Sequence, residues 1–230
     1  MKTIVLTGAS KGIGYQTALK LLESECKVIA VARSAEKLEE LKSKASSPLL
    51  KIIPADLTNK DDIQKILEYV ADTNGIDGLI NNAGTLINKS FSETAADEWQ
   101  FIFDINLFAP VNLIKHLKPY LNRGSHIVNI GSMGGFQGSD KFPGLAAYSS
   151  AKGALGVLSE CLSIEFSSDD ISVNCLCLGA VQTNMLQKAF PGYQAPVQPK
   201  EMATYISDFV LNGHKFMNGK ILPVALNNPE

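Results

Sequence analysis

The chain has 230 residues, 45% apolar and 19% charged, with a formal charge of −2. That balance supports one sizeable core and excludes a disordered or fibrous chain. It also gives no electrostatic case for nucleic acid or an anionic membrane, because neither half carries a dense Lys/Arg run. No apolar run approaches the ~20 residues of a membrane span, and the apolar start at 1–7 is too short for a signal peptide. Asn227-Asn228-Pro229-Glu230 carries no retention or lipidation signal, so a cytoplasmic location is expected.

In chain order, β-branched runs predict strands at 3–7, 27–31, 50–54, 78–80, 126–130, 172–178 and 220–224. Between them, helical periodicity predicts helices at 15–23, 35–44, 60–72, 93–121, 148–166 and 199–212. Strands alternating with helices specify a parallel sheet covered on both faces, since each parallel crossover needs a covering element. No linker-like or low-complexity tract divides the chain, so one domain over 1–230 is expected. The helix after Ser92 is long and rich in apolar positions. Either a subunit contact or deep core burial would explain its second apolar face.

The first strand runs into Thr7-Gly8-Ala9-Ser10-Lys11-Gly12-Ile13-Gly14. Three glycines let the backbone turn sharply and approach a ligand, and a helix start there offers free N–H groups to a pyrophosphate. The spacing is GxxxGxG, which elsewhere is also met as a plain tight βα loop; its place after the first strand of a β-α-β unit points to a dinucleotide. The second strand ends Val31-Ala32-Arg33-Ser34, with an Arg where an NAD site usually has an acid for the ribose 2′-hydroxyl. Arg33, Lys11 and the Ser34 hydroxyl would suit a 2′-phosphate, so NADP(H) is favoured over NAD(H).

Further along come Asp56-Leu57, Asn81-Asn82-Ala83-Gly84, Asn106 in the long helix, Ser132 after the fifth strand, and Tyr148 with Lys152. In that order, with the glycine turn, these residues resemble the short-chain dehydrogenase/reductase family from Lys2 to about Val224. The resemblance implies a Rossmann-like, doubly wound three-layer α/β/α sandwich with a seven-stranded, mainly parallel sheet. It implies that Gly8, Ser10, Lys11, Gly12, Ile13 and Gly14 hold the cofactor's phosphates, that Asp56 and Leu57 meet the adenine, and that Asn82, Ala83 and Gly84 shape the adenosine-ribose side. Asn81 would brace the central strand. Gly179, Val181 and Thr183 would contact the nicotinamide end; relatives typically have Pro-Gly where this chain has Leu178-Gly179, which predicts a less rigid loop. The usual glycine-rich C-terminal ending is also missing, although a homodimer or homotetramer is still implied.

The catalytic assignment also follows from chemistry. Reducing a carbonyl needs a hydride donor and a proton donor for the developing alkoxide. Tyr148 and Lys152 stand four residues apart, on one helical face, a spacing that a part-exposed Tyr and a solvated Lys would also show. An ammonium beside a phenol of ordinary pKa ~10 stabilises the phenolate, which predicts a lowered Tyr148 pKa. Tyr148 would act as general acid/base, Ser132 would hydrogen-bond the substrate oxygen, and by the resemblance Lys152 would hold the nicotinamide ribose while Asn106 anchors a water serving Lys152. Asn106 could equally bond the neighbouring backbone. The expectation is thus an NADP(H)-dependent oxidoreductase acting on a small-molecule carbonyl or secondary alcohol. The alternatives are a catalytically silent NADP-binding regulatory or structural subunit, which would not need all four residues, and a methyltransferase-like enzyme, which leaves the Tyr/Lys pair unexplained.

Segments 133–145 and 182–197 should line the substrate cleft, with Phe136, Phe142, Met185, Leu186, Phe190 and Tyr193 making it apolar. Cys26, Cys161, Cys175 and Cys177 form no zinc-ligand or CxxC pattern and are expected as buried free thiols; Cys175 and Cys177 should face one side of a strand. His116, His126 and His214 lack metal-ligand spacing, so no metal is expected.

Overall fold

The computed structural model describes residues 1–226; the tail 227–230, where the sequence carries no retention signal, lies outside them. Seven strands form one sheet in the order β3-β2-β1-β4-β5-β6-β7, with every neighbouring pair parallel. They are β1 Thr3–Thr7, β2 Lys27–Ala32, β3 Leu50–Pro54, β4 Ile76–Asn81, β5 Leu121–Ser132, β6 Ser172–Leu178 and β7 Ile221–Val224. The helices are α1 Gly12–Glu23, α2 Ala35–Ala45, α3 Lys60–Ala71, α4 Ala96–Phe103, α5 Ala109–Leu117, α6 Ala146–Glu165, α7 Asn184–Ala189 and α8 Pro199–Asn212. Strand order reverses between β1 and β4, which opens a crevice at their carboxyl ends.

Alternation along β1 builds both cores. Ile4 and Leu6 pack with Leu21 of α1, Leu38 and Leu41 of α2, and Ile206 and Val210 of α8. Val5 points the other way, joining Ile66 of α3, Leu113 and Leu117 of α5, and Leu162 of α6. Each fully buried Leu or Ile contributes about 1.5–3 kcal/mol, so a sheet covered on both faces is strongly preferred over one left half bare.

The predicted long helix at 93–121 is not continuous. A π turn, Asp104–Phe108, separates α4 from α5, and the N–H of Ala109 reaches back five residues to the Asp104 carbonyl. Pro110 supplies the cause: its ring would collide with the carbonyl four residues back in a regular helix. Pro119 ends the helix in the same way, so Lys118–Tyr120 form one 3-10 turn and β5 begins at Leu121, five residues before the predicted start at His126. Core burial accounts for Ile102, Leu113 and Leu117 of this segment, while Phe101 and Phe108 are each 44% exposed.

Cys26, Cys175 and Cys177 are buried, but Cys161 is exposed on the outer side of α6, contrary to expectation. Cys175 and Cys177 share one side of β6 and pack with Met133 behind Gly131. Among the described residues, no group of three His, Cys, Asp or Glu could hold a metal ion, and no helix is long and apolar enough to cross a membrane.

His126 has a defined structural role in the middle of β5. It is fully buried; its Nδ1 lies 3.2 Å from the Val210 carbonyl, and its Nε2 2.9 Å from Asn174 Nδ2. Asn174 is pinned in that orientation because Nδ2 also donates to the Met217 carbonyl and Oδ1 accepts from the Lys220 N–H. The ring must therefore carry its proton on Nδ1 and accept at Nε2, and a second proton would face a donor. Burial first, then the nearby His214 and Lys2 charges, push its pKa down to about 4. The unfolded imidazole titrates near 6.5, so the unfolded state binds more protons below that pH. Stability is complete above about pH 6.5 and falls as pH drops toward 4, by roughly 2 kcal/mol between pH 7.5 and pH 5. Urea unfolding at these two pH values checks this, and His126→Leu should flatten the dependence.

Candidate active site

The crevice at the β1/β4 switch is a cleft of about 1260 Å³. The glycine turn forms one wall. Gly8 and Gly12 have φ of +70° and +57°, the left-handed region that glycine adopts at least cost. A Cβ on Gly14 would lie 2.3 Å from the Gly8 carbonyl oxygen, so the turn can close only with glycine there. Thr7 fastens the turn to the end of β4: its hydroxyl accepts the N–H groups of Asn82 and Ala83 at 3.0 Å each, while Asn82 Nδ2 donates to the Thr7 carbonyl at 3.0 Å. α1 starts with no side-chain cap and no acid in its first turn. Its unpaired N–H groups and positive dipole end therefore suit an anionic group, and the residues present fit a dinucleotide's pyrophosphate.

Arg33 and Lys11 are exposed where they line the cleft, and Ser34, Asp56 and Leu57, each less exposed, line it too. Ser34 also caps α2, accepting from the Lys37 N–H at 3.4 Å. Asp56 is tied to the Thr58 N–H and hydroxyl at 2.9 and 2.7 Å, and its own N–H donates to Asp62. Lys37 lines the same cleft, a cation that sequence reading passed over. The signal was available, since Lys37 stands four residues after Arg33.

Ser10, Ile13, Ala83, Gly84, Gly179, Val181 and Thr183 also line the cleft. Leu178, where relatives typically have Pro, extends the strand pairing up to this loop. The residue is buried and pairs with both Ser132 and Val224 across the sheet, and the Gly179 N–H donates to the Val224 carbonyl at 2.9 Å. A residue that keeps its N–H continues the ladder where Pro would interrupt it. Segment 182–197, in which the periodicity marks no helix, contains α7, capped by the Thr183 hydroxyl. Phe142 and Phe190 meet across the mouth at 5.8 Å, so the two substrate segments touch.

At the inner end stand Ser132, Tyr148 and Lys152. α6 carries Tyr148 and Lys152 on one face, with the ammonium 5.9 Å from the phenol ring centre. Lys152 Nζ donates to the Ile130 carbonyl at 2.7 Å. Burial pushes its pKa down to about 8. Burial also pushes the Tyr148 phenol up, opposed by its interaction with the Ser132 hydroxyl. The lowering expected from Lys152 does not appear in the fold, because the ammonium is drawn to a backbone carbonyl rather than to the phenol oxygen. No sequence signal marks the Ile130 carbonyl, as any residue supplies one.

Asn106 is fully buried in the π turn and lies outside the cleft lining. Its Nδ2 donates to the carbonyls of Thr85 and Ile102 at 2.9 and 2.8 Å, and its Oδ1 accepts from the Thr85 N–H at 3.2 Å. Both amide hydrogens are thus spent on backbone. A Cβ built on Gly84 would sit 3.0 Å from Asn106 Oδ1 and 3.6 Å from Lys152 Nζ, so both groups crowd the position that a side chain there would take. Asn81 does brace the centre of the sheet, donating to Asn129, which in turn donates to Ser159 of α6.

A family model described as short chain dehydrogenase matches residues 2–194. The chain belongs to the short-chain dehydrogenase family. This short-chain dehydrogenase is 28% identical over 205 residues to an uncharacterized oxidoreductase of Staphylococcus aureus strain MW2, covering 88% of this chain and 87% of the relative. A solved short-chain dehydrogenase/reductase from Brucella melitensis, named as a glucose/ribitol dehydrogenase type, superposes with a TM-score of 0.91 at 27% identity, covering 100% of this chain and 97% of that one. A 3-ketoacyl-(acyl-carrier-protein) reductase from Brucella melitensis, solved with NADH, gives a TM-score of 0.86 at 22% identity over 97% and 96% of the two chains; that likeness is one of fold. The dehydrogenase is an oxidoreductase of a family that uses nicotinamide cofactors.

Proposed function

We propose that this short-chain dehydrogenase is an NADP(H)-dependent carbonyl reductase or alcohol dehydrogenase, with residues 1–230 acting as one dinucleotide-binding and catalytic domain. The observation that carries the reading is the convergence of Tyr148, Lys152 and Ser132 at the inner end of a cleft whose outer rim bears Arg33 and Lys11. Gly8 to Gly14 and the start of α1 hold the phosphates, Arg33, Lys11 and Ser34 take the 2′-phosphate, and Asp56 and Leu57 flank the adenine. Asn82, Ala83 and Gly84 line the ribose side, while Gly179, Val181 and Thr183 steady the nicotinamide end. When bound, the cofactor supplies the hydride for the carbonyl carbon.

The protein's own residues manage the proton and the orientation. Ser132 donates a hydrogen bond to the substrate oxygen, and Tyr148 gives that oxygen its proton. The ammonium of Lys152, charged below about pH 8, holds the nicotinamide ribose. Asn106, the residue expected to anchor a water, instead holds the Thr85 backbone in place beside Lys152, since both its amide hydrogens are bonded to carbonyls. Segments 133–145 and 182–197 close over an apolar substrate. The partially exposed Phe101 and Phe108, with Val157 and Ile164 on α6, support a homodimer or homotetramer.

A panel of aldehydes, ketones and secondary alcohols, followed by nicotinamide absorbance with each cofactor, tests this function. Silence across the whole panel would remove it. For the cofactor, Arg33→Ala should weaken NADPH binding by about tenfold to a hundredfold while leaving NADH binding within a few-fold. Equal losses for the two cofactors would remove the preference.

A further inference from the structure

Beside the main cleft lies a second cavity of about 670 Å³, built mostly from the segment between β5 and α6. The two share Gly134, Phe142 and Leu145 as lining, so they adjoin along one wall rather than opening on separate faces. Two glycines let this wall lie close against α6: a Cβ on Gly134 would lie 2.8 Å from Ser149 Oγ, and one on Gly135 2.6 Å from α6 backbone, so the shared boundary at Gly134 carries no side chain. The walls are largely apolar, from Phe91, Phe136, Phe142 and Leu145. Phe91 is 73% exposed, and its ring meets Trp99 edge-on at 6.1 Å.

One cation stands at the lip. Lys141 Nζ donates to the Phe136 carbonyl at 2.6 Å and to Ser139 Oγ at 2.7 Å. Ser139 is itself held by the carbonyls of Met133 and Phe136, which fixes the lysine head against the cavity wall. Two of the three ammonium hydrogens are used, and both acceptors are neutral. Asp140 is next in sequence, yet among the described residues no ion pair joins Lys141 to any carboxylate. A fixed, uncompensated cation at the rim of an apolar cavity favours an anionic group over a neutral one.

Resting on the reductase reading above, we propose that this second cavity receives the far end of the substrate, and that the substrate is an apolar carbonyl compound ending in a carboxylate, which Lys141 binds. The reacting carbonyl lies at Tyr148 and Ser132. The apolar body passes Phe142 over Gly134, and the carboxylate takes the remaining hydrogen of Lys141. The cavity volume falls within the range of small-molecule sites.

The test uses straight-chain ketones in matched pairs, one member neutral and the other ending in a carboxylate, across several chain lengths. At the best length, the native enzyme should prefer the acid in kcat/KM by about tenfold or more, with the difference mainly in KM, and the preference should shrink in high salt. Lys141→Met, which keeps the stem and removes the charge, should reduce that ratio to near unity; Lys141→Glu should reverse it. Calorimetric titration with a saturated carboxylic acid of the best length provides a readout that needs no turnover. If ketones are reduced with no preference for the acid at any length, this proposal is overturned while the reductase reading stands. If no ketone is reduced but the native protein binds the saturated acid and Lys141→Met loses at least tenfold in affinity, the cavity assignment holds and the reductase reading fails. Equal acid binding by the native protein and both variants overturns the proposal.

Discussion

Tyr148→Phe is expected to lower kcat by about a hundredfold or more while nicotinamide cofactor affinity changes only a few-fold. The substitution keeps the ring that packs against Ile102, Ala147 and Ala151, so the wall of the cleft survives and only the hydroxyl is lost. The size of the effect follows from the partners that remain. Ser132 can still polarise a carbonyl oxygen, but its hydroxyl is a poor proton donor, and Lys152 is directed at the Ile130 carbonyl 2.7 Å away. Neither can substitute for the phenol. Cofactor titration by nicotinamide fluorescence, run beside the turnover assay, separates the two roles. Turnover within about tenfold of the native rate would sink the acid/base assignment.

Gly14→Ala should abolish cofactor binding, by about a hundredfold or more in affinity, with a loss of about 1–3 kcal/mol in stability. The added Cβ would meet the Gly8 carbonyl oxygen at 2.3 Å and Asn82 Nδ2 at 2.5 Å. Neither can yield cheaply, because Asn82 Nδ2 is already bonded to the Thr7 and Gly8 carbonyls. Gly12→Ala provides the contrast: it meets strain from its φ of +57°, but its Cβ would only touch Thr183 Cγ2 at an ordinary 3.5 Å. The same fluorescence titration compares them. Equal, small losses in both variants would show that backbone conformation, rather than the close approach at Gly14, governs the turn.

Much of this architecture is written in patterns that local chemistry reads directly. The β-branched runs located all seven strands because buried parallel strands need continuous apolar residues, and the glycine turn was legible because its chemistry is carried by spacing. Cleft residues far apart in sequence, from Gly8 to Thr183, meet because each lies at the carboxyl end of a parallel strand or on the helix that follows it. What escaped depends on geometry rather than residue type. The start of β5 at Leu121 was hidden in a helical pattern that Pro119 cuts short. α7 is one short helix held by a single Thr183 cap, too brief for periodicity to register. The direction of the Tyr148 shift could not be read from a four-residue spacing, since it turns on where the Lys152 ammonium points and on a backbone carbonyl that any residue would provide.

The π turn at Asp104–Phe108 also changes the angular bookkeeping of its helix. Ile102, Asn106, Pro110 and Ile114 are all buried at four-residue intervals, and on a regular α-helix that interval drifts by about 40° per step. Over three steps such a stripe would rotate well away from the sheet. A locally wider turn takes up part of the drift, so Asn106 keeps the same inward bearing as the hydrophobic residues before and after it. Pro110 therefore acts as a phase corrector for a polar residue four positions upstream, and the two positions are coupled through helical pitch without their side chains having to touch.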